Sequence, residues 1–462
     1  MQPTTIVRKE WHMRYAALLF YRQCGSDLRE KLRRVNQGSR QMKLPTAVIV
    51  GMETNGLGVS RALSAYKIPC IGLAGPHWTP SCQTNTCQVI YATSWSQEGV
   101  ISDLKSIGER LDHKAPLLIT KDEPVLWVSE CRDQLSQFYS INLPSKEVVN
   151  LLMSKTKFLE MAKSEKWPVP LTWEINNEDE LLYRLREITF PCILKPQIKN
   201  SEFRKHSPRK AFKLYRQDEL IRAYKMVAQW EREVIVQEWI EGRDDQIAFC
   251  LSYYDGNGNP KAVFPGRKLL QWPLECGNTV ISEPVKNKEL ERSLVELTQM
   301  IWQTVRFKGL GSIEYKLRMN SHEPVIMEPT VGRTNYQNEV AVINGCNIPA
   351  LAYCDLAGIQ PFAVNHRSRP VKLVDGCAER KAVLAYYRSG NLMVGQWLKN
   401  RHGRKKYATL RLSDMGPFFA SMLLAAKRGF SQCILSVLGP ALQTRLKTVI
   451  LGLPRFRSDD KS

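Results

Sequence analysis

The sequence predicts a mixed fold, α/β at its start and α+β after it, and three observations carry that prediction. A short apolar strand runs into a glycine-rich turn, a helix and a second strand. A longer stretch then reads as strands with antiparallel spacing, interrupted by three helices. The chain's 462 residues are 43% hydrophobic and 24% charged, enough apolar material for a large core and, by length, about three domains.

The first strand is Ala47-Val48-Ile49-Val50, a β-branched run that suits a strand buried on both faces. It enters Gly51-Met52-Glu53-Thr54-Asn55-Gly56-Leu57-Gly58, then a helical pattern to Tyr66 and a strand at 69–73. A further strand at 116–119 and the start of a helix at 125–128 extend this Rossmann-like α/β unit, which ends near Pro144. The glycine loop has no Lys-Ser/Thr after Gly56, so it is not a P-loop. Arg61 stands where a dinucleotide fingerprint needs its third glycine, which argues against a nicotinamide cofactor. Two readings remain for it: a tight strand-to-helix turn, or a helix N-terminus that holds a substrate anion.

From Val148 one helix is expected to about Lys166, with Leu151, Leu152, Phe158, Leu159 and Ala162 on one face. Strands are expected at 192–195, 212–215, 234–240, 246–254, 262–270, 312–318 and 324–328, with helices at 178–187, 217–229 and 288–305. Four regions follow: a basic extension at 1–43, the α/β unit at 44–144, the strand-rich unit at 145–360, and a basic, more helical extension at 361–462.

Charge is uneven. Of the formal +21, residues 1–43 carry +7 and residues 361–462 carry +14, while the middle holds 37 charges of each sign. A neutral middle between basic ends argues against a nucleic-acid groove and for an anionic surface touched at the periphery. Nothing in the sequence sets an oligomeric state. No apolar run reaches the ~20 residues of a membrane helix, so a cytoplasmic protein is expected, with peripheral membrane contact through the tail. There, residues 415–426 and 429–444 are apolar, and Phe418, Met422, Leu423 and Ala426 are spaced as on an amphipathic helix; packing of that helix on the core is the alternative. The twelve cysteines contain no C-x-x-C pair and read as reduced, buried thiols.

Chemistry concentrates in the middle. Lys195 ends the apolar strand Pro191-Cys192-Ile193-Leu194-Lys195, where a lysine must find an anion or bend outward. Glu314 lies within Gly311-Ser312-Ile313-Glu314-Tyr315, and Glu328 ends Pro324-Val325-Ile326-Met327-Glu328. As a hairpin, these strands would aim both acids at one point, an arrangement usually reconciled by a divalent metal. Arg267 and Arg333 are the remaining candidates, since a guanidinium fork suits a γ-phosphate or a substrate carboxylate; the alternative is a surface arginine on a turn.

In order, "SKTKFLEMAKSEKWPVP", "PCILKP", "VQEWIEG", "GSIEYK" and "IMEPTVGR" resemble the motifs of the ATP-grasp superfamily, on its carboxylate–amine ligase branch, over roughly residues 45–360. The resemblance implies a two-lobe ATP-grasp fold and an ATP- and Mg²⁺-dependent ligase joining a small-molecule carboxylate to an amine through an acyl phosphate. It implies that Lys155 and Lys195 hold phosphates, that the backbone of Glu238, Trp239 and Ile240 reads adenine, that Asp244 or Asp245 meets the ribose, and that Glu314 and Glu328 bind Mg²⁺. Two departures stand out. Thr330 occupies the place of the usual second-strand Asn, and the loop after Lys195 has no glycine but carries Lys199, Arg204, Lys205, Arg209 and Lys210. Thr330 and the basic tail leave a second reading, an ATP-binding scaffold at a membrane surface with little turnover.

Overall fold

The computed structural model describes residues 44–196, 206, 211–275, 277–333, 335–362, 369–390 and 394–437, with backbone alone from 427. The expectations for residues 1–43, for the five cations after Lys195 and for the chain beyond 437 lie outside the described residues.

The first layer contains β1 (Ala47–Val50), α1 (Thr54–Ser64), β2 (Cys70–Ala74), β3 (Gln88–Tyr91), α2 (Gln97–Gly108), β4 (Ala115–Ile119), α3 (Asp122–Glu130), α4 (Arg132–Leu135) and β5 (Tyr139–Ser140). Its strands are parallel in the order β3-β2-β1-β4-β5. All four residues of β1 are inaccessible to solvent, as a strand covered on both faces requires. The turn out of β1 is tight: Gly51 has φ +94°, and a Cβ on Gly56 would sit 1.9 Å from the Gly51 carbonyl oxygen. Only glycine allows that approach.

The helix expected at 148–166 is two helices, α5 (Lys146–Met153) and α6 (Lys155–Ser164). Ser154 between them is extended (ψ 116°), and its hydroxyl accepts from the Lys157 N–H at 3.4 Å. A capping serine starts a new helix rather than continuing an old one.

A four-stranded antiparallel sheet follows: β6 (Thr172–Ile175), α7 (Glu178–Arg184), β7 (Cys192–Pro196), β8 (Phe212–Leu214), α8 (Gln217–Val227) and β9 (Val234–Glu238), ordered β6-β9-β7-β8. Cys192, Leu194, Val234 and Val236 alternate onto the face that packs against Leu181 and Leu220 of the two helices. The other face carries Lys195 and Lys213.

The third sheet is the largest. It comprises β10 (Ile247–Tyr254), β11 (Pro260–Trp272), β12 (Asn278–Pro284), β13 (Gly309–Leu317) and β14 (Pro324–Val331), with α9 (Lys288–Thr304) between β12 and β13. Beyond it come α10 (Asn338–Ile343), α11 (Ile348–Leu356), β15 (Lys372–Val374), α12 (Gly376–Arg388), α13 (Val394–Arg401), β16 (Lys405–Tyr407) and α14 (Gly416–Val437). The strand order is β14-β13-β10-β11-β12-β15-β16. Leu294, Ile301 and Trp302 of α9 join a buried cluster with Ala248, Cys250, Ile313 and Tyr315, so α9 covers one face.

The segment beyond residue 360, expected as a helical extension, thus adds two strands to the large sheet. It is also fastened to the first layer. Arg61 Nε meets Asp414 Oδ2 at 2.8 Å, and Asp414 also accepts from Thr84 Oγ1 (2.8 Å) and the Asn85 N–H (3.0 Å). The residue that breaks the dinucleotide fingerprint is this anchor. The nine described cysteines are all free, and five are buried.

Candidate functional site

The hairpin of β13 and β14 sets the geometry. Glu314 lies directly opposite Glu328, and Ser312 opposite Thr330, so the four side chains share one face. On β11, Lys268 points to the same face and puts its Nζ 2.7 Å from Glu314 Oε2. Its side chain is 4% exposed, against 23% for Glu314.

Strand alternation sends Arg267 the other way. It pairs across β10 and β12 with Ala248 and Glu283, on the face that α9 covers. There its guanidinium donates to Glu283 Oε1 from Nε (3.1 Å) and Nη2 (2.8 Å), and Lys286 meets Oε2 at 2.7 Å. Burial alone would raise the Glu283 pKa, but Lys286 and Arg267 hold it below the usual carboxylate value. Arg267, expected at the site, is therefore on the opposite side of the sheet, because successive residues of a strand face opposite ways.

The open face of the four-stranded sheet brings further cations. Lys195 Nζ donates to Gln237 Oε1 at 3.0 Å, and Gln237 Nε2 in turn donates to Thr172 Oγ1 at 2.9 Å. Lys213, opposite Ile193 and so on the same face, lies 4.3 Å from the Trp239 ring centroid. Its Nζ is 3.2 Å from Glu275 in the turn between β11 and β12, which joins this face to the large sheet. Ile240 is buried. Lys155 is exposed at the first residue of α6.

β13 also grips the turn after β9. Arg318 Nη1 donates to Glu238 Oε1 at 2.8 Å, and the Leu171 N–H to Oε2 at 3.1 Å. Burial would raise the Glu238 carboxyl, but these donors bring it below its ordinary value. Lys316 Nζ donates to the carbonyls of Gly242 (2.7 Å) and Arg243 (2.8 Å). Its burial lowers the amine to about 8, against the pull of Asp244 and Asp245. The Asp244 carboxylate accepts from the Gln271 N–H (3.0 Å), Gln271 Nε2 (2.8 Å) and Tyr386 OH (2.7 Å). Its burial raises it despite those donors. Asp245 pairs with Arg243 at 2.9 Å on a more open side. Arg333, after β14, is tied to Asp122 of α3, with Nη2 at 2.6 Å.

Two opposed carboxylates are hard oxygen donors of the kind Mg²⁺ takes. Among the described residues no group of three or more His, Cys, Asp or Glu gathers. Glu314 and Glu328 therefore suit a cation that brings phosphate oxygens or water as its other ligands.

The sequence reading missed Lys268, Lys213, Lys316 and the Arg61–Asp414 anchor. Alternation along 262–270 does place Lys268 opposite in sense to Arg267, but it does not say which face holds the site. Lys213 carried the same signal as Lys195, a lysine on a strand; the Arg61–Asp414 pair, 353 residues apart, carried none.

No known family profile matches the chain. D-aspartate ligase of Enterococcus faecium (strain Aus0004) is 22% identical over 332 residues, which span 68% of this chain and 77% of the relative. Among solved structures, the ADP complex of PurK, N5-carboxyaminoimidazole ribonucleotide synthetase, aligns with a TM-score of 0.55 at 14% identity, over 72% of this chain and 82% of that one. Biotin carboxylase from Campylobacter jejuni gives 0.55 at 15% identity, over 71% and 75%. Phosphoribosylglycinamide synthetase from Anaerococcus prevotii gives 0.53 at 16%, over 71% and 79%. These likenesses show that the chain shares the fold of these enzymes over about seven-tenths of its length.

Proposed function

We propose that the chain is an ATP- and Mg²⁺-dependent carboxylate–amine ligase that works through an acyl phosphate. The observation that carries this reading is the Glu314–Glu328 pair with Lys268 on its edge, on the face of the large sheet that α9 leaves uncovered. Lys195 and Lys268 would hold the nucleotide phosphates, with Lys155 reaching in from α6. The backbone of Glu238, Trp239 and Ile240 would read adenine, positioned by Arg318 and Lys316. Asp245 is the better placed of the two for the ribose, because Asp244 is buried and bonded to Gln271 and Tyr386 while Asp245 is more open. Mg²⁺, held by Glu314 and Glu328, would neutralise phosphate charge.

The substrate carboxylate oxygen attacks the γ-phosphorus and ADP leaves. The amine then attacks the acyl carbon, inorganic phosphate departs, and the nitrogen loses a proton to give an amide. The lysines act by positioning and charge stabilisation, not as nucleophiles. Arg333 is the remaining guanidinium for a substrate carboxylate, held ready by Asp122. In this reading residues 44–144 form a module before the grasp and 145–360 the grasp itself.

The relative's name makes aspartate the first carboxylate to assay. The protein, ATP and Mg²⁺ with a panel of amino-acid carboxylates and hydroxylamine should release ADP and yield a hydroxamate, because hydroxylamine captures an acyl phosphate. ATP binding without ADP release from any carboxylate would overturn the ligase reading.

A further inference from the structure

The N-terminal half of α14 has two faces. Pro417 and Ala420 are buried. Its start is pressed on the first layer, where a Cβ on Gly416 would lie 1.9 Å from the Gln83 carbonyl oxygen. Phe419, Met422 and Leu423 fall at helical spacing on the other side and are 56%, 55% and 64% exposed, with exposed Ala426 in line. The sequence spacing had put Phe418 in this stripe; the structure turns Phe419 outward instead. Of the sixteen large hydrophobics exposed among the described residues, eight fall between Leu384 and Leu423. Outward apolar surface is thus concentrated in the same part of the sequence as positive charge. Residues 361–462 carry +14, and no acid occurs from Met415 to Val437.

We propose that this face of α14 lies in the interface of an anionic lipid bilayer, with Phe419, Met422 and Leu423 inserted at the acyl boundary and the cations of this basic part of the sequence drawn to the headgroups. Charge selects this occupant. A second copy would bring an equally positive segment against the first, whereas anionic lipid is complementary. Among the described residues no helix is long and apolar enough to cross a membrane, so the helix would lie in the plane of the surface. This inference does not depend on the ligase reading.

The test is co-sedimentation of the full chain with phosphatidylcholine vesicles, with and without phosphatidylglycerol, at low and high salt. Wild type should bind only the anionic vesicles and be released by salt. Met422→Gln with Leu423→Gln should weaken binding about tenfold or more, with an unchanged melting temperature and unchanged response to ATP. Wild type that ignores anionic vesicles at low salt overturns the proposal. So does a double variant that binds as wild type, since charge alone would then be responsible. A wild-type dimer that the double variant dissolves, with vesicles ignored, would assign the stripe to a second copy instead.

Discussion

Lys268 Nζ stands 2.7 Å from Glu314 Oε2, across two strands of one sheet. The ammonium is almost fully enclosed and sits where a phosphate would also seek a cation. Lys268→Met should therefore cut ATP-dependent turnover by roughly 10²–10³, the usual effect of losing one preorganised charge partner. Arg267→Met, one residue away on the opposite face, should leave turnover within a few-fold. Its cost should fall on stability, roughly 1–3 kcal/mol, because buried Glu283 loses the guanidinium bonded to its Oε1 and keeps Lys286 on Oε2. Steady-state kinetics beside a denaturant titration separates the two. Equal kinetic losses would show that strand alternation does not divide their roles.

The facing acids predict a metal phenotype. Glu314→Gln and Glu328→Gln should raise the Mg²⁺ concentration needed for ADP release, while the metal-free protein melts as before. The ATP-induced rise in melting temperature should shrink in both, since it scales as RT ln(1 + [L]/Kd). Thr330 faces Ser312 one position further along the same face. Thr330→Asn adds an amide oxygen there and should leave activity intact or raise it. A large loss with an intact fold would give the Thr330 hydroxyl a specific task.

Where the sequence was legible, local rules decided the structure. The zero-exposure strand Ala47–Val50, the glycine turn after it and the Glu314–Glu328 hairpin all follow from side-chain period and turn chemistry over a few residues. Ser154 shows the limit. It lies inside an apolar pattern that continues across it, and only its capping geometry divides α5 from α6. Choices of face were also hidden. Arg267 and Lys268 are adjacent cations on one strand, and which faces the site depends on the face that α9 covers. Contacts distant in sequence had no local mark. β15 and β16 are three residues each, too short to show alternation, and join the sheet through β12.

The anchor between Arg61 and Asp414 predicts that the end of the chain is structurally coupled to its start. The Asp414 side chain is 1% exposed and that of Arg61 9%. Asp414→Ala leaves an enclosed guanidinium without its carboxylate, which costs about 3–5 kcal/mol. Arg61→Ala should cost a comparable amount, and the double variant clearly less than the sum. Unfolding midpoints of the four proteins in the cycle measure this. Additive losses would mean that the two side chains do not act as a pair.

Lys316 gives a pH dependence of definite sign. Its amine holds the Gly242 and Arg243 carbonyls, and burial lowers it from the ordinary 10.5 to about 8. Below pH 8 the amine is protonated in both folded and unfolded chains, so the cost of burying its charge is fully present. Between 8 and 10.5 the unfolded chain binds more protons, and stability gains from this residue as pH rises, by about 3 kcal/mol in all. Other groups run the opposite way. Cys70, Cys87, Cys192, Cys250 and Cys346 are pushed up to about 12 by burial, so their contribution falls as pH passes the ordinary thiol value. Those effects are common to wild type and Lys316→Met, and the difference between the two proteins isolates the amine. That difference should move in favour of wild type from pH 8 to 10.5 and be flat below 8. A difference flat throughout would mean that the amine titrates at its ordinary value. The turn after β9 should keep its place on both sides of pH 8, because a neutral amine still has the two N–H groups that the two carbonyls require.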